Sequence, residues 1–346
     1  MKIERICFYV EDAKQWRDWF VKVMGFMAIA SSHNSHTQTE IIRSGAIVFS
    51  LSSPLTQSSP VANYLKQHPP GVADVSFTVA NLAAILTKVE KYGGTILTPI
   101  QKQGDRLCSQ IQSKIGITHT LFSAREKPSF SNHHPVFFEA IDHVVFNVET
   151  GQLKKIINWY KAVFGFECQQ TFNIQTARSG LLSQVMVHPE SGIKIPINEP
   201  TSINSQIQEF LNENNGSGVQ HIALKTHQIL HKIAKLRAAG VNFLDVPLTY
   251  YRQLRSQSEN LLLSEQEFTL LEQQKILIDR QSSLQENMPF LLQIFTKPIF
   301  SRPTFFFEFI ERHYQAEGFG EGNFRALFEA IEREQIERES KKIEQK

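Results

Sequence analysis

Glu308 stands between Phe307 and Phe309 in the run Phe305-Phe306-Phe307-Glu308-Phe309-Ile310. A carboxylate in so apolar a strand is costly unless it is paired, hydrogen-bonded or bound to a metal. Two upstream histidines are candidate partners: His143 in Ile141-Asp142-His143-Val144-Val145-Phe146, and His221 in Gly218-Val219-Gln220-His221-Ile222-Ala223. Each sits near the start of an apolar, strand-like run. Two such strands side by side would project both imidazoles into one cavity, where Glu308 completes a face of two histidines and one carboxylate. That donor set leaves coordination positions open and marks non-haem Fe(II) oxygenases, although zinc hydrolases also use two histidines and a carboxylate. A lone histidine is more often a hydrogen-bonded core residue, but three convergent donors favour a metal. His33, His36, His133, His134 and His188 fall in loop-like segments without such partners.

The elements that position these residues are set by an internal repeat. Ile3 to Val10, followed by Trp16, Trp19-Phe20 and Gly25-Phe26, recurs as Ile141 to Val148, followed by Ile156, Trp159-Tyr160 and Gly165-Phe166. Both are a strand, an amphipathic helix and a Gly-Phe exit. A second pair opens at Gly71 and Gly218 and closes at Gly93 and Gly240, with the same offset at both ends. Short strand-like runs follow each helix, at Ala46 to Leu51, Thr118 to Phe122, Ser183 to Val187 and Leu291 to Phe295. The expected fold is therefore α+β: two domains, each of paired βαβββ modules whose curved mixed sheets surround a cavity. The boundary falls in the polar linker Lys127 to Pro135, giving an N-terminal structural domain over 1–130 and a C-terminal catalytic domain over 136–346. The last module carries an insertion between Pro247 and Pro289, with a helix expected over Ser264 to Ile278. A terminal helix is expected over Asn323 to Lys346. In the repeat, Arg5 stands where His143 does and Asp74 where His221 does, so only the C-terminal half has the histidines.

Polar residues elsewhere fit a small-molecule pocket. Asn198 lies at an apolar strand end, and Gln220 and Gln293 interrupt apolar strands; amides of this kind orient a phenol or carboxylate without adding charge. Composition narrows the partners. Thirty-six basic against 34 acidic residues give a net charge of +2, which argues against nucleic acid. Three widely spaced cysteines fit reduced thiols, and neither a signal peptide nor a membrane-spanning run is apparent, so a cytoplasmic protein is expected.

Taken together, the motifs closely resemble the 4-hydroxyphenylpyruvate dioxygenases of the vicinal oxygen chelate superfamily. They are Asp142-His143-Val144, Lys194 to Pro200, Gly218 to Ala223, Phe243 through Pro247 to Tyr250-Tyr251, Leu291 to Pro298, Arg302 to Glu308, and Gly318 to Phe324. They span most of the C-terminal half, whereas the N-terminal half matches mainly in architecture. The resemblance implies one Fe(II) per subunit, held by His143, His221 and Glu308. It implies a substrate pocket with Gln220, Gln293 and Asn198 acting on the substrate and Ser183 and Gln206 beside them. Phe295, Phe306, Phe319, Phe324 and Phe328 would form its aromatic walls and lid, and the C-terminal helix would be a gate that keeps water out. The implied reaction takes 4-hydroxyphenylpyruvate and O2 to homogentisate and CO2 by decarboxylation, ring hydroxylation and side-chain shift, in tyrosine breakdown or prenylquinone and tocopherol synthesis. The partners would be this 2-oxo acid and O2, in a homodimer or homotetramer. The alternatives are 4-hydroxymandelate synthase, whose relatives tend to replace the lid phenylalanine and pocket asparagine by aliphatic residues, and an extradiol dioxygenase or a non-catalytic binding protein of the same superfamily. Two departures from the family pattern stand out: Ile299-Phe300-Ser301 replaces a usual Gly-Asp turn, and Lys225-Thr226-His227-Gln228 lacks a common acidic residue.

Overall fold

Local patterns decide the helices and strands first. In Leu153–Phe164 the buried side chains are Leu153, Ile156, Ile157, Trp159, Tyr160, Val163 and Phe164, a helical spacing that presents one broad apolar face. Gly165 ends this helix with a left-handed φ of 79° that other residues adopt only at a cost. The helix Ala13–Lys22 starts where the Asp12 carboxylate accepts from the amides of Lys14 and Gln15. Glu265–Gln274 begins with a capping box between Ser264 and Glu267.

The structure is a computed structural model that describes residues 1–125, 136–176, 179–256, 263–280 and 289–344. The expected linker Lys127 to Pro135 lies outside the described residues, as does part of the insertion between Pro247 and Pro289. In the N-terminal half the strands are β1 (Lys2–Tyr9), β2 (Met27–His33), β3 (Thr37–Ser44), β4 (Ile47–Pro54), β5 (Gly71–Val79), β6 (Thr95–Gln103), β7 (Arg106–Gln112) and β8 (Thr118–Ser123). Their spatial order is β2-β3-β4-β1-β5-β8-β7-β6. In the C-terminal half, β9 (Ala140–Asn147), β10 (Glu167–Gln175), β11 (Gly180–Val187), β12 (Lys194–Pro200), β13 (Gly218–Lys225), β14 (Leu277–Arg280), β15 (Phe290–Phe295) and β16 (Phe306–His313) repeat that order as β10-β11-β12-β9-β13-β16-β15-β14. Helices α1 (Ala13–Lys22), α2 (Pro60–Gln67) and α3 (Leu82–Lys91) serve the first sheet. Helices α4 (Leu153–Phe164), α5 (Gln206–Asn214), α6 (Ile229–Ala238), α7 (Leu248–Ser256), α8 (Glu265–Gln274) and α9 (Phe324–Glu344) serve the second. Each sheet is two βαβββ modules joined through antiparallel first strands, β1 with β5 and β9 with β13.

One expectation is corrected. The helix expected over Ser264 to Ile278 stops at Gln274, because Lys275 turns left-handed (φ 59°) and Leu277 and Ile278 leave to pair with Gln293 and Leu292 as an edge strand. The sequence also gave no sign of α2 or α5, short helices between the modules that start at the serine caps Ser59 and Ser205.

One apolar core joins the halves. Phe8 meets Phe305 edge-on at 5.3 Å, and Phe307 lies 6.0 Å from Phe20 and 6.1 Å from Phe49. Phe300, from the turn that departs from the family pattern, inserts beside Trp16 at 4.7 Å and is 7% exposed. A buried polar link crosses the same junction: His119 Nδ1 donates to the Val75 carbonyl (2.8 Å), and its Nε2 accepts from the Tyr160 hydroxyl (2.7 Å). With both nitrogens occupied in the neutral form, burial pushes the His119 pKa down to about 4. No described helix is long and apolar enough to cross a membrane.

Candidate metal centre

Sheet register brings the three candidate ligands together. Ala223 on β13 pairs with His143 on β9 on one side and with Glu308 on β16 on the other. His221, two residues before Ala223, points to the same face of the sheet. The small Ala223 side chain leaves the space between its neighbours to their longer side chains. One ligand atom from each of His143, His221 and Glu308 lies within 4.8 Å of the others, and all three residues are buried. Glu308 Oε2 is 3.1 Å from His143 Nε2 and 3.6 Å from His221 Nε2.

Neighbouring groups fix the direction of both rings. Asp142 Oδ1 accepts from His143 Nδ1 at 2.9 Å, and Gln220 Oε1 accepts from His221 Nδ1 at 3.1 Å, so both Nε2 atoms face inward. Such outer bonds select the tautomer that a metal requires. His221 is further held by stacking on Phe306, with centroids 4.7 Å apart. Asp142 is itself gripped by Arg312, whose Nε and Nη2 donate to its two oxygens at 2.8 and 2.7 Å.

Electrostatics follow from this crowding. Burial alone would lower the His143 pKa, but Glu308 and Asp142 more than offset it and raise the ring to about 9. Burial opposes ionisation of Glu308, yet the two histidines hold its carboxyl below the usual range. Burial lowers the pKa of His221, against the pull of Glu308. The second oxygen of Glu308, Oε1, is buried with no hydrogen-bond partner among the described residues. An unpaired carboxylate oxygen is expensive unless another ligand takes it. Inward Nε2 atoms, an ionised carboxylate and this spare oxygen fit a divalent transition metal.

The centre forms one wall of a cavity of about 80 Å³ lined by Ser183, Asn198, Gln206, Gln220, Phe295, Phe306, Phe319 and Phe324, all anticipated from the sequence. Asn198 Nδ2 donates to Asn147 Oδ1 at 3.2 Å, and Gln206 Oε1 has no partner among the described residues. Phe319 from the loop after β16 meets His143 edge-on at 5.2 Å, and Phe324 at the start of α9 meets Phe172 at 5.0 Å.

Gln293 does not line the cavity. Its side chain is wholly buried against Gly320, which has φ +78° and where a Cβ would overlap the Gln293 amide, and neither amide atom has a partner among the described residues. The side chain of Phe328 lies outside the described residues. Sequence reasoning missed the apolar remainder of the wall: Val145, Phe172, Ile174, Leu181, Val185, Pro196, Ile207, Leu327 and Ile331. Alternation along β10 carries a partial signal, since Phe172 and Ile174 share one face of that strand. A larger open groove of about 720 Å³ lies between the halves, but among its described residues no metal-ligating cluster forms.

The comparisons agree with this geometry. Residues 140–257 match the family profile described as Glyoxalase/Bleomycin resistance protein/Dioxygenase superfamily. The chain is 35% identical to 4-hydroxyphenylpyruvate dioxygenase of Dictyostelium discoideum over 96% of its own length and 97% of that protein. It is 34% identical to an uncharacterized protein of Synechocystis sp., over 96% of this chain and 97% of that protein. Among solved structures, a triple mutant of 4-hydroxymandelate synthase from Streptomyces coelicolor superposes with a TM-score of 0.85 at 26% identity, covering 96% of this chain and 98% of that one. Fold and site thus define a metal-binding enzyme of the superfamily's dioxygenase branch, with paired βαβββ sheets around one centre. Within that class, the chain belongs to the 4-hydroxyphenylpyruvate dioxygenase family.

Proposed function

We propose that the chain is an Fe(II)-dependent dioxygenase that converts 4-hydroxyphenylpyruvate and O2 to homogentisate and CO2, with 136–346 as its catalytic part and 1–130 as its scaffold. The observation that carries this reading is the unpaired Oε1 of Glu308, facing two inward-turned histidines at the wall of an apolar cavity with amides, in a chain of this family. His143, His221 and Glu308 would hold the iron, which supplies O2 activation and the redox chemistry of decarboxylation and ring hydroxylation.

The chain's own residues do the rest. Asp142 and Gln220 hold the imidazoles in one tautomer, so that metal uptake finds its ligands already aimed. Ser183, Asn198 and Gln206 offer neutral donors and acceptors to the substrate's polar groups. Phe295, Phe306, Phe319 and Phe324 exclude water from the reacting end. A cavity of about 80 Å³ is well below the roughly 300 Å³ at which ligand pockets begin, so entry requires the α9 side to open. The bonds that close it are weak enough to allow this. Arg338 pairs with Glu209 at 2.7 Å and Thr176 donates to Glu332 at 3.0 Å, partly exposed contacts of the kind that contribute about 1 kcal/mol or less.

Formation of 4-hydroxymandelate is the second reading, favoured by the structural match to that synthase. Asn198 and Phe324 in the cavity wall favour homogentisate instead, because they retain the polar and aromatic groups that the synthases tend to replace. Anaerobic loading with Fe(II), followed by O2 uptake with 4-hydroxyphenylpyruvate and chromatography of the product, decides between them. Homogentisate is expected; 4-hydroxymandelate as the main product would refute the assignment.

A further inference from the structure

Arg312 lies on the same face of β16 as Glu308 and has four short contacts. Beyond its two bonds to Asp142, Nη2 donates to the Gly318 carbonyl at 2.9 Å and Nη1 to the Ala316 carbonyl at 3.1 Å. Asp142 Oδ1, which receives Nη2, also receives the Nδ1–H of His143. One guanidinium therefore joins the carboxylate that orients a candidate metal ligand to the loop that delivers Phe319 to the cavity. Lysine cannot reproduce this arrangement, because the planar fork is what satisfies two carboxylate oxygens and two carbonyls at once.

The loop needs such a hold. Tyr314, Gln315, Gly318 and Gly320 all have positive φ, at 51°, 59°, 72° and 78°. For Tyr314 and Gln315 this backbone is strained and persists only where surrounding bonds over-determine it. Within the loop, Ala316 N bonds the His313 carbonyl and Phe319 N bonds Glu321 Oε2 at 3.2 Å. The two carbonyl bonds from Arg312 add side-chain ties to the sheet at Ala316 and Gly318.

The N-terminal half shows what an ion pair at this place does by itself. Glu4 occupies the repeat position of Asp142 and pairs with Arg106 at 2.7 Å, but its chain neighbour is Arg5 rather than a histidine. Arg106 also donates to Thr78 Oγ1 and the Ser123 carbonyl, both within the sheet. A pair that only stabilises the sheet thus exists in the same protein. The C-terminal pair differs in having a metal-facing histidine at one end and the Phe319 loop at the other.

We propose that Arg312 is a positioning residue that couples the seating of the Phe319 loop to the orientation of His143, so that metal binding orders the loop and an ordered loop favours metal binding. This rests on the metal reading of the site. Coupling of this kind is reciprocal, and it can be read without turnover.

The test uses the full chain, free of metal and loaded with Co(II), and follows backbone amide exchange across Tyr314 to Gly320. In the unaltered protein Co(II) is expected to slow this exchange several-fold. In Arg312→Lys the loop is expected to exchange faster even without metal, Co(II) no longer to protect it, and the Co(II) Kd to rise about tenfold, as for other residues that support ligands from behind. Asp142→Asn, which retains the arginine and both loop carbonyls, is expected to lose the Co(II)-dependent protection as well, and it serves as the test if the lysine variant does not fold. Equal Co(II) protection in the unaltered and variant proteins, or an unchanged Kd, overturns the coupling while leaving the metal site standing. A chain that takes up no Co(II) at all overturns the metal reading and the coupling with it.

Discussion

The buried link between His119 and Tyr160 makes the junction of the two halves sensitive to acid. The folded chain holds His119 neutral to about pH 4, whereas the unfolded chain takes up the proton near pH 6.5. Unfolding therefore binds a proton anywhere between these values, and stability falls as pH drops from about 6.5, levelling off below about 4. At about pH 4.5 the two pKa values amount to roughly 2.5 kcal/mol of lost stability from this one residue. His119→Gln retains a donor for the Val75 carbonyl and an acceptor for the Tyr160 hydroxyl but does not titrate. Urea unfolding of both proteins at pH 7.5 and about pH 4.5 isolates the effect, because every other titrating group is common to the pair. The variant is expected to lose about 2.5 kcal/mol less than the parent between those conditions. An identical pH dependence in the two proteins would refute the assignment of a neutral, buried His119. Tyr160→Phe is expected to cost about 1–3 kcal/mol at neutral pH, since it strands the imidazole lone pair without a donor.

His221→Ala is expected to fold, with far-UV circular dichroism unchanged, but to bind no iron by metal analysis and to take up no O2 with 4-hydroxyphenylpyruvate. Loss of its stack on Phe306 should also lower stability by about 2–4 kcal/mol in thermal unfolding. Gly320→Ala places a side chain on a left-handed backbone and against the Gln293 amide, so faster amide exchange at the start of α9 and reduced turnover are expected. Unaltered exchange there would show that the loop accommodates the methyl group.

Much of this molecule was legible in its sequence because the repeat is written twice. Strand, helix and Gly-Phe exit recur closely enough to place His143 opposite Arg5 and His221 opposite Asp74 without any contact information. Glu308 was legible for a different reason: a carboxylate flanked by phenylalanines has few stable explanations. The pocket wall was harder to read. Phe172, Ile174, Leu327 and Ile331 are ordinary apolar residues whose role depends on where β10 and α9 meet, which is a tertiary fact. Gln293 interrupts an apolar strand, which is legible in the sequence; that its amide packs against Gly320 is a tertiary fact. The edge strand β14 was absorbed into a helix because Leu277 and Ile278 continue a plausible helical pattern. Only the left-handed Lys275 breaks that pattern, and lysine carries no such signal.

Along β16, Phe306 and Glu308 face the candidate metal cavity, while Phe307 and the preceding Phe305 press into rings contributed by the N-terminal half. One strand is thus the wall of the candidate site on one side and a bearing surface on the other. The half that lacks the histidines still sets the height and tilt of the strand that carries the carboxylate. Substitutions at Phe8, Phe20 or Phe49, far from any ligand, would thereby reach the chemistry by a single rigid step. The copy of the repeat that has Arg5 and Asp74 in place of the two histidines is the mount against which the other copy is packed.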